Sequence, residues 1–474
     1  MIDDHDATHV ALIEDDVVLT YGELRDRVAS ARARLAAAGV GAGDTVVLGA
    51  GNEIGFVVAS FAALGLGARP APINPYAPPA EVRRKIEPLG GAVMVIGEVA
   101  PHLLADDEGY GLPVITTNDL SGAGDAPAII EVGAEEPAFL LSTSGVSGKP
   151  KVAVLTHGGM AWVQQSVIGD GPEQLTADDI ALGVLPVAHV LGLNLALLAT
   201  LRAGGAVVLQ RRFDSATSLE LIRRHRITMV VGAPPMWHRW AVSEESSDAM
   251  ASVRFARSGA AALRPATVDR LERVYGVRIK QGYGLTETSA VVTTGRGFDA
   301  PVTSVGRALP GVEMVVVDDD GAPVDIGDVG EVVVRTPGCF AGYLGDPEST
   351  EMVLTEDGWL WTGDLGVLDD DGFLHLVDRV KDIVIVSGFN VYPAEVEDVL
   401  MHFPGVRAAV VVGRAHGVTG ETVVAHVSGD VDEAELDAWA RSQLASYKCP
   451  TSYLRVDDVP ETSTGKQLRR ELKS

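Results

Sequence analysis

Ten consecutive residues, Ser142-Thr143-Ser144-Gly145-Val146-Ser147-Gly148-Lys149-Pro150-Lys151, follow the apolar run Phe139–Leu141 and combine hydroxyls, glycines and lysines in one loop. The N–H and O–H groups of such a loop can wrap the oxygens of a polyphosphate, and its ammonium groups can neutralise them. It is not a Walker A loop. That pattern needs a longer spacing between its glycines and a Ser or Thr after the lysine, whereas here Gly145 and Gly148 are close and Pro150 follows Lys149. Alone, a Ser/Gly loop is more often a surface connection. Further clusters occur downstream in a fixed order: Ser258-Gly259-Ala260-Ala261, Tyr283-Gly284-Leu285-Thr286-Glu287, Thr362-Gly363-Asp364, Asp378-Arg379-Val380-Lys381-Asp382, Ser387-Gly388-Phe389-Asn390 and Thr464-Gly465-Lys466.

Taken together, these clusters resemble the motifs of the adenylate-forming superfamily: acyl-CoA synthetases, aryl-CoA ligases, peptide-synthetase adenylation domains and beetle luciferases. The first loop is similar to that family's Thr-Ser-Gly-Thr-Thr-Gly-x-Pro-Lys motif, with Val146 in place of a Thr and Val152 in place of a Gly. The resemblance runs from Thr20-Tyr21 to Lys466, nearly the whole chain, and is strongest to fatty acyl- or aryl-CoA ligases. It implies an ATP-dependent acid–thiol ligase using ATP, Mg²⁺ and coenzyme A. A carboxylate would attack the α-phosphate, pyrophosphate would leave, and a thiol would then take the acyl group from the mixed anhydride. The acceptor is CoA or, alternatively, the phosphopantetheine of a carrier protein or another nucleophile.

The resemblance also assigns roles to residues of this chain. Thr143, Ser144, Gly145, Ser147, Gly148 and Lys151 would hold the β- and γ-phosphates. Gly259, Ala260, Ala261, Gly282, Tyr283 and Gly284 would line the adenine, Thr286 would reach the α-phosphate, and Glu287 would bind Mg²⁺, a cation that favours hard oxygen ligands. Asp364 and Arg379 would take the ribose hydroxyls, and Lys466 would bridge the attacking carboxylate and the α-phosphate as charge builds there. Lys381 would be the hinge of a rotating C-terminal domain, with Gly388 and Phe389 facing the incoming thiol. In Leu185–Leu193, His189 would stand beside the substrate carboxylate, and Ala188, where the family usually has Phe, would open space. Gly282 with Ala260 to Ala262 leaves an apolar path for an aliphatic or aryl acid. Trp237 is a pocket floor or a core residue. Arg239 either binds a second carboxylate, as the matching stretch does in malonyl-CoA synthetases, or is a surface arginine.

The elements that must position these groups read as α/β. In Tyr21–Ala38, Leu24, Val28, Ala31 and Leu35 share one helical face, and strand-like runs at 45–48, 93–96, 138–141, 206–209 and 228–231 alternate with helix-length segments. Such alternation predicts buried, largely parallel sheets flanked by helices. After Gly295 the texture changes to short strands around Asp318-Asp319-Asp320-Gly321 and Asp369-Asp370-Asp371-Gly372, read as hairpin turns rather than metal sites. The expected architecture is a large N-terminal domain (1–378) with a small β-barrel-like part, a hinge (379–383) and a small mobile α+β domain (384–474).

Length and composition fit this reading. The 474 residues carry 65 acidic against 38 basic side chains, a net charge of −27. Such a chain repels nucleic-acid phosphates and anionic lipid, which argues against both as partners. Two cysteines with no zinc spacing exclude a disulfide framework, and an acidic start without an apolar run suggests no signal peptide, so a cytoplasmic location is expected. The uncharged stretch 184–201 is long enough to raise a membrane span, but Pro186, His189, Gly192 and Asn194 favour a buried core helix. A dinucleotide-binding reading of Gly49-Ala50-Gly51 fails because Gly55 comes one residue late.

Overall fold

The computed structural model describes residues 1–106, 109–121, 124–143, 151–243, 245–261, 263–417, 419–460 and 469–472. The chain forms two compact units, Met1–Glu313 with Arg335–Leu360, and Met314–Val334 with Trp361–Ser474. The first contains a nine-stranded sheet whose middle strands, Val10–Glu14, Ala206–Leu209, Ile180–Gly183, Met229–Gly232, Phe255–Ser258 and Ile279–Tyr283, all pair in parallel. Its two edges, Val17–Thr20 and the short strands Thr293–Thr294 and Arg307–Ala308, pair antiparallel. A second sheet is wholly parallel, in the order Arg69–Pro72, Thr45–Gly49, Gly91–Ile96, Val114–Thr116. Central strands such as Thr45–Gly49 are buried at every position, as sheets covered on both faces require.

Local sequence explains the helices that cover them. Tyr21–Ala37 begins with a capping box, in which Thr20 Oγ1 accepts from the Glu23 amide and the Glu23 carboxylate accepts from the Thr20 amide. Its Leu24, Val28, Ala31 and Leu35 are buried as the spacing predicts. In the second unit, Glu313–Val317, Gly330–Arg335, Leu360–Leu368 and Leu374–Arg379 form a four-stranded sheet. A separate five-stranded sheet contains the long hairpin Val406–His416/Gly420–Gly429, with Ser452–Arg455 parallel to its second strand, and packs on the helices Pro393–Met401 and Glu433–Gln443 through Val396, Leu400, Leu436 and Ala440. The β part expected as barrel-like is thus an open four-stranded sheet in the second unit and a separate hairpin, Pro137–Thr143/Lys151–Thr156, in the first.

Two expectations change. The stretch 184–201 is not one helix: it runs irregularly after the strand Ile180–Gly183, becomes a widened π-type helix at Leu191–Leu198 and continues as Ala199–Arg202. Pro186 lacks an amide donor, and a Cβ at Gly192 would lie 2.7 Å from the carbonyl oxygens of both Leu185 and Pro186, so the chain folds back tightly before the helix starts. Among the described residues no helix is long and apolar enough to cross a membrane. The first acidic turn does not lead straight into the strand Gly330–Arg335. Its backbone closes on itself, Asp318 N donating to Ala322 O at 2.9 Å and Val324 N to Val316 O at 3.0 Å, before the chain moves on. Asp318 and Asp369 act as turn acceptors, with Oδ1 of each receiving two backbone amides.

One buried side chain fixes the irregular segment before His189. Asn52 Nδ2 donates to the carbonyls of Gly183, Leu185 and Gln210 at 3.0–3.1 Å, and its Oδ1 accepts from Val187 N at 3.0 Å. Asn52→Ala leaves those buried groups short of partners and should cost about 3 kcal/mol in urea unfolding. The adjacent Glu53 is 2% exposed; burial, then the Glu14 carboxylate, push it up to about 7 from 4.5. The folded protein therefore keeps a proton that the unfolded chain releases near 4.5, so stability falls as pH rises from there through 7. Glu53→Gln should remove that slope, gaining about 2 kcal/mol on the parent between pH 5 and pH 8; parallel pH profiles of the urea midpoints would refute it.

Candidate active site

Because the central strands are parallel, their C-terminal ends share one edge of the sheet. Register pairs Gly232 with Ser258 and Ser258 with Gln281, so the loops after these strands emerge side by side. Ligands of α/β sheets bind at such an edge. Gly259 follows directly, where an added Cβ would sit 3.4 Å from Leu191, and Ala260 takes φ +75°, a left-handed conformation that side chains seldom adopt. Gly282 and the buried Tyr283 end the next strand, and at Gly284 a Cβ would overlap the Ala290 carbonyl oxygen. Only glycine lets the chain turn there. The turn Thr286–Thr288 follows, closed by Leu285 N donating to Thr288 Oγ1 at 2.9 Å.

Glu287 projects from that turn toward a segment far along the chain. Residues 341–344 run beside the strand Lys151–Thr156: Ala341 N donates to Val154 O, Val154 N to Gly342 O and Leu344 N to Val152 O, at 2.8–3.0 Å. The same segment holds Glu287 twice, through Phe340 N to Glu287 O at 2.8 Å and Tyr343 Oη donating to Glu287 Oε1 at 2.7 Å. Lys151 Nζ lies over the Tyr343 ring, 4.7 Å from its centroid. Burial, then Glu287, hold the Tyr343 phenol far above its usual range, so it remains a donor. The nearby Cys339 thiol is pushed up to about 11, chiefly by burial, and stays protonated. Among the described residues, Glu287 Oε2 accepts no hydrogen bond. One carboxylate of this kind is the type of group that can hold Mg²⁺, which takes one or two carboxylates and completes its shell with phosphate oxygens and water.

The hairpin that ends at Lys151 pairs it with Thr143, whose hydroxyl is 3.5 Å from the Lys151 carbonyl. Ser144, Gly145, Ser147 and Gly148 lie outside the described residues, as do Ala262 and Lys466. His189 is half-buried; burial, then Lys85, lower its pKa below 6.5, so at neutral pH it is an uncharged imidazole. Beside it Ala188 is half-buried. Trp237 is fully buried, donates from Nε1 to Gly232 O at 3.1 Å and packs edge-on against Trp240. Arg239 lies on the exposed face of the helix Pro234–Ala241, its guanidinium 6.0 Å from the Phe213 ring centroid.

In the second unit, Asp364 and Arg379 are register partners, with Arg379 Nε 3.0 Å from Asp364 Oδ1. Gly363 (φ +71°) makes the preceding corner, its N–H donating to Glu331 at 2.9 Å. Burial, then the backbone bond and Asp364, act on Glu331, with the net effect of raising its pKa. Lys381 sits in the single helical turn Val380–Asp382, flanked by Asp378 and Asp382, both of which ion-pair with the largely buried Arg469 at 3.1 and 3.4 Å. Arg469 also pairs with Glu397 at 2.7 Å. Ser387 (φ +52°) and Gly388 (φ +84°) form the two-residue turn between Val384–Val386 and Phe389–Val391. The exposed Phe389 stacks on Tyr447, with ring centroids 4.8 Å apart.

A family model for AMP-binding enzymes matches residues 3–344, and one for the AMP-binding enzyme C-terminal domain matches residues 395–466. The chain belongs to the AMP-binding enzyme family. It is 35% identical over 464 residues to a feruloyl-CoA synthase from an Amycolatopsis species, covering 96% of this chain and 93% of the relative. It is 32% identical over 480 residues to 4-coumarate–CoA ligase 3 of Oryza sativa subsp. japonica, covering 96% and 87%. The ATP-bound crystal structure of MatB from Rhodopseudomonas palustris superposes with a TM-score of 0.91 at 31% identity, covering 99% of this chain and 96% of that one.

Within this AMP-binding fold, the structure brings Gly259, Ala260, Gly282, Tyr283, Gly284, Thr286 and Glu287 to one sheet edge in the first unit, and Asp364 with Arg379 to one strand pair in the second. Sequence reasoning missed Asn52 and Tyr343. It also missed Arg257, whose Nη2 shares the Val167 carbonyl with Arg296 at the C-terminal end of the helix His157–Ile168. A Gly-Asn-Glu turn after a buried strand was a signal for Asn52; Tyr343 had none, because its contacts are set by long-range register. An NMR titration of His189 should give a midpoint below 6.5 that moves upward in Lys85→Gln; a midpoint above 6.5 would contradict the half-buried, cation-flanked setting.

Proposed function

We propose that this AMP-binding enzyme is an acid–CoA ligase. A carboxylate oxygen bonds to the α-phosphorus of ATP as the bond to pyrophosphate breaks; the CoA sulfur then bonds to the acyl carbon as AMP departs and the thiol proton is released. The observation that carries the reading is the convergence of a carboxylate, Glu287, and an ammonium, Lys151, on one phenol, that of Tyr343. The family membership and the CoA-ligase names of the relatives support the same chemistry. Two anions meet in the first step, so the site must neutralise charge around phosphorus.

Each residue then has a task. Lys151, Thr143 and the intervening loop bind the outer phosphates, Tyr283 with Gly259 and Ala260 flanks the adenine, Thr286 reaches the α-phosphate, and Asp364 with Arg379 takes the ribose. Glu287 would hold Mg²⁺, which when bound would supply neutralisation of phosphate charge. Neutral His189 serves the acid as a hydrogen-bonding partner rather than a counter-charge. Lys466 stabilises the adenylation transition state, and Lys381 is the pivot on which residues 384–474 turn to present Gly388 and Phe389 to the pantetheine.

For the acid, the relatives' names support an aryl-propenoic type, and the small Ala188 leaves room for a ring. The exposed position of Arg239 speaks against a dicarboxylate bound through it. The test is pyrophosphate release across aryl, fatty and dicarboxylic acids, with and without CoA. Aryl acids should release pyrophosphate and, with CoA, yield the thioester; no release with any acid would overturn the reading, and adenylation without thioester would favour a carrier protein. Lys466→Ala should lower carboxylate-dependent pyrophosphate exchange about 10²–10³-fold while sparing thioester formation from preformed acyl adenylate. Lys381→Pro should do the reverse. Equal loss of both half-reactions in either variant would remove the role assigned to that residue.

A further inference from the structure

Tyr343 is half-buried beside Glu287 and Lys151 yet belongs to none of the motifs that carry the family resemblance. Its backbone is fixed by strand pairing with Lys151–Thr156 and by Tyr343 N donating to Thr350 Oγ1 at 2.9 Å. Its ring is braced edge-on by Phe340, 5.0 Å between centroids, and Phe340 in turn holds the Glu287 carbonyl. From this braced position the side chain acts at both ends. The hydroxyl donates to one oxygen of Glu287, and the ring face receives the ammonium of Lys151.

We propose that Tyr343 is a positioning residue of the triphosphate site, orienting the Glu287 carboxylate for the metal through its hydroxyl and Lys151 for the phosphates through its ring. The inference rests on the reading above, in which Glu287 binds Mg²⁺ and Lys151 binds phosphate. A carboxylate on a flexible side chain has several rotamers, and metal binding must select one of them. A short hydrogen bond from a neutral phenol to Oε1 makes that selection in advance and leaves Oε2 for the cation. The donor is neutral, so it orients the carboxylate without competing as a positive charge. The ring works differently: its negative face attracts the Lys151 ammonium without consuming one of its N–H donors. One side chain thereby fixes the spacing between the metal ligand and the phosphate cation.

The two ends separate by substitution. Tyr343→Phe keeps the ring and deletes the hydroxyl; Tyr343→Leu deletes both. Mn²⁺ binding to the enzyme with saturating α,β-methylene-ATP, followed by electron paramagnetic resonance, reads the first end. Metal-free ATP binding by equilibrium dialysis reads the second. Tyr343→Phe should weaken Mn²⁺ binding roughly tenfold and leave metal-free ATP binding within twofold. In steady state, the Mg²⁺ concentration for half-activation should rise while kcat at saturating Mg²⁺ recovers, a split that loss of structure alone would not produce. Tyr343→Leu should additionally weaken metal-free ATP binding about two- to fivefold. Glu287→Gln is the reference. If it weakens Mn²⁺ binding and Tyr343→Phe does not, the positioning role is overturned while Glu287 remains the ligand; if neither does, the assignment of Glu287 falls and the inference with it.

Discussion

Strand direction is the constraint on which the first unit depends. Six adjacent strands run the same way, so their carboxyl ends must lie along one edge, and every loop that leaves them emerges there. Ser258, Tyr283 and the segment after Gly183 are distant in sequence but become neighbours because each follows such an end. The tight geometry at that edge then selects residues: glycine at 284, where the Ala290 carbonyl leaves no room for a Cβ, and a small side chain at 260, where φ is positive.

Charge imposes a second condition. A chain with net charge −27 repels a triphosphate at long range, so attraction has to come from a few cations and oriented N–H groups at close quarters. The structure pairs its cations sparingly in this region. Among the described residues Lys151 rests on a ring face rather than in a salt bridge, while Glu287 is satisfied on one oxygen by a neutral donor. Arg379, by contrast, is already engaged with Asp364, and the partly exposed Arg469 is shared among three carboxylates around Lys381. The second pattern fixes structure; the first leaves charge available.

Much of the fold was legible because its periodicities are local. The helix Tyr21–Ala37 matches its apolar spacing and its Thr-x-x-Glu start to within a residue, and the strand Ala206–Leu209 coincides with the apolar run that predicts it. The stretch 184–201 was misjudged because apolar composition carries no period of its own; Pro186 and the close packing at Gly192 decided where the helix could begin. The first acidic turn was recognised by its residues, and the strands flanking it, Glu313–Val317 and Gly330–Arg335, are neighbours in one sheet; the extra reversal over 318–324 that separates them was not read, since Asp-Gly marks a turn without saying how many residues pair across it. The candidate residues read from compact motifs needed no tertiary information to be named, whereas Asn52 and Tyr343, whose contacts are long-range, gave no such reading.

The sequence by itself determined the residue types and order that chemistry needs, and with them membership of the AMP-binding enzyme family, because motif residues are constrained one by one by what they touch. Only the tertiary structure decided which of these groups meet, that His189 is uncharged, that Arg239 faces solvent and that a tyrosine from a distant segment joins Glu287 to Lys151. Burial, protonation and contact across strands are properties of the packed chain: they depend on dielectric surroundings and on hydrogen-bond register between segments that no local pattern connects.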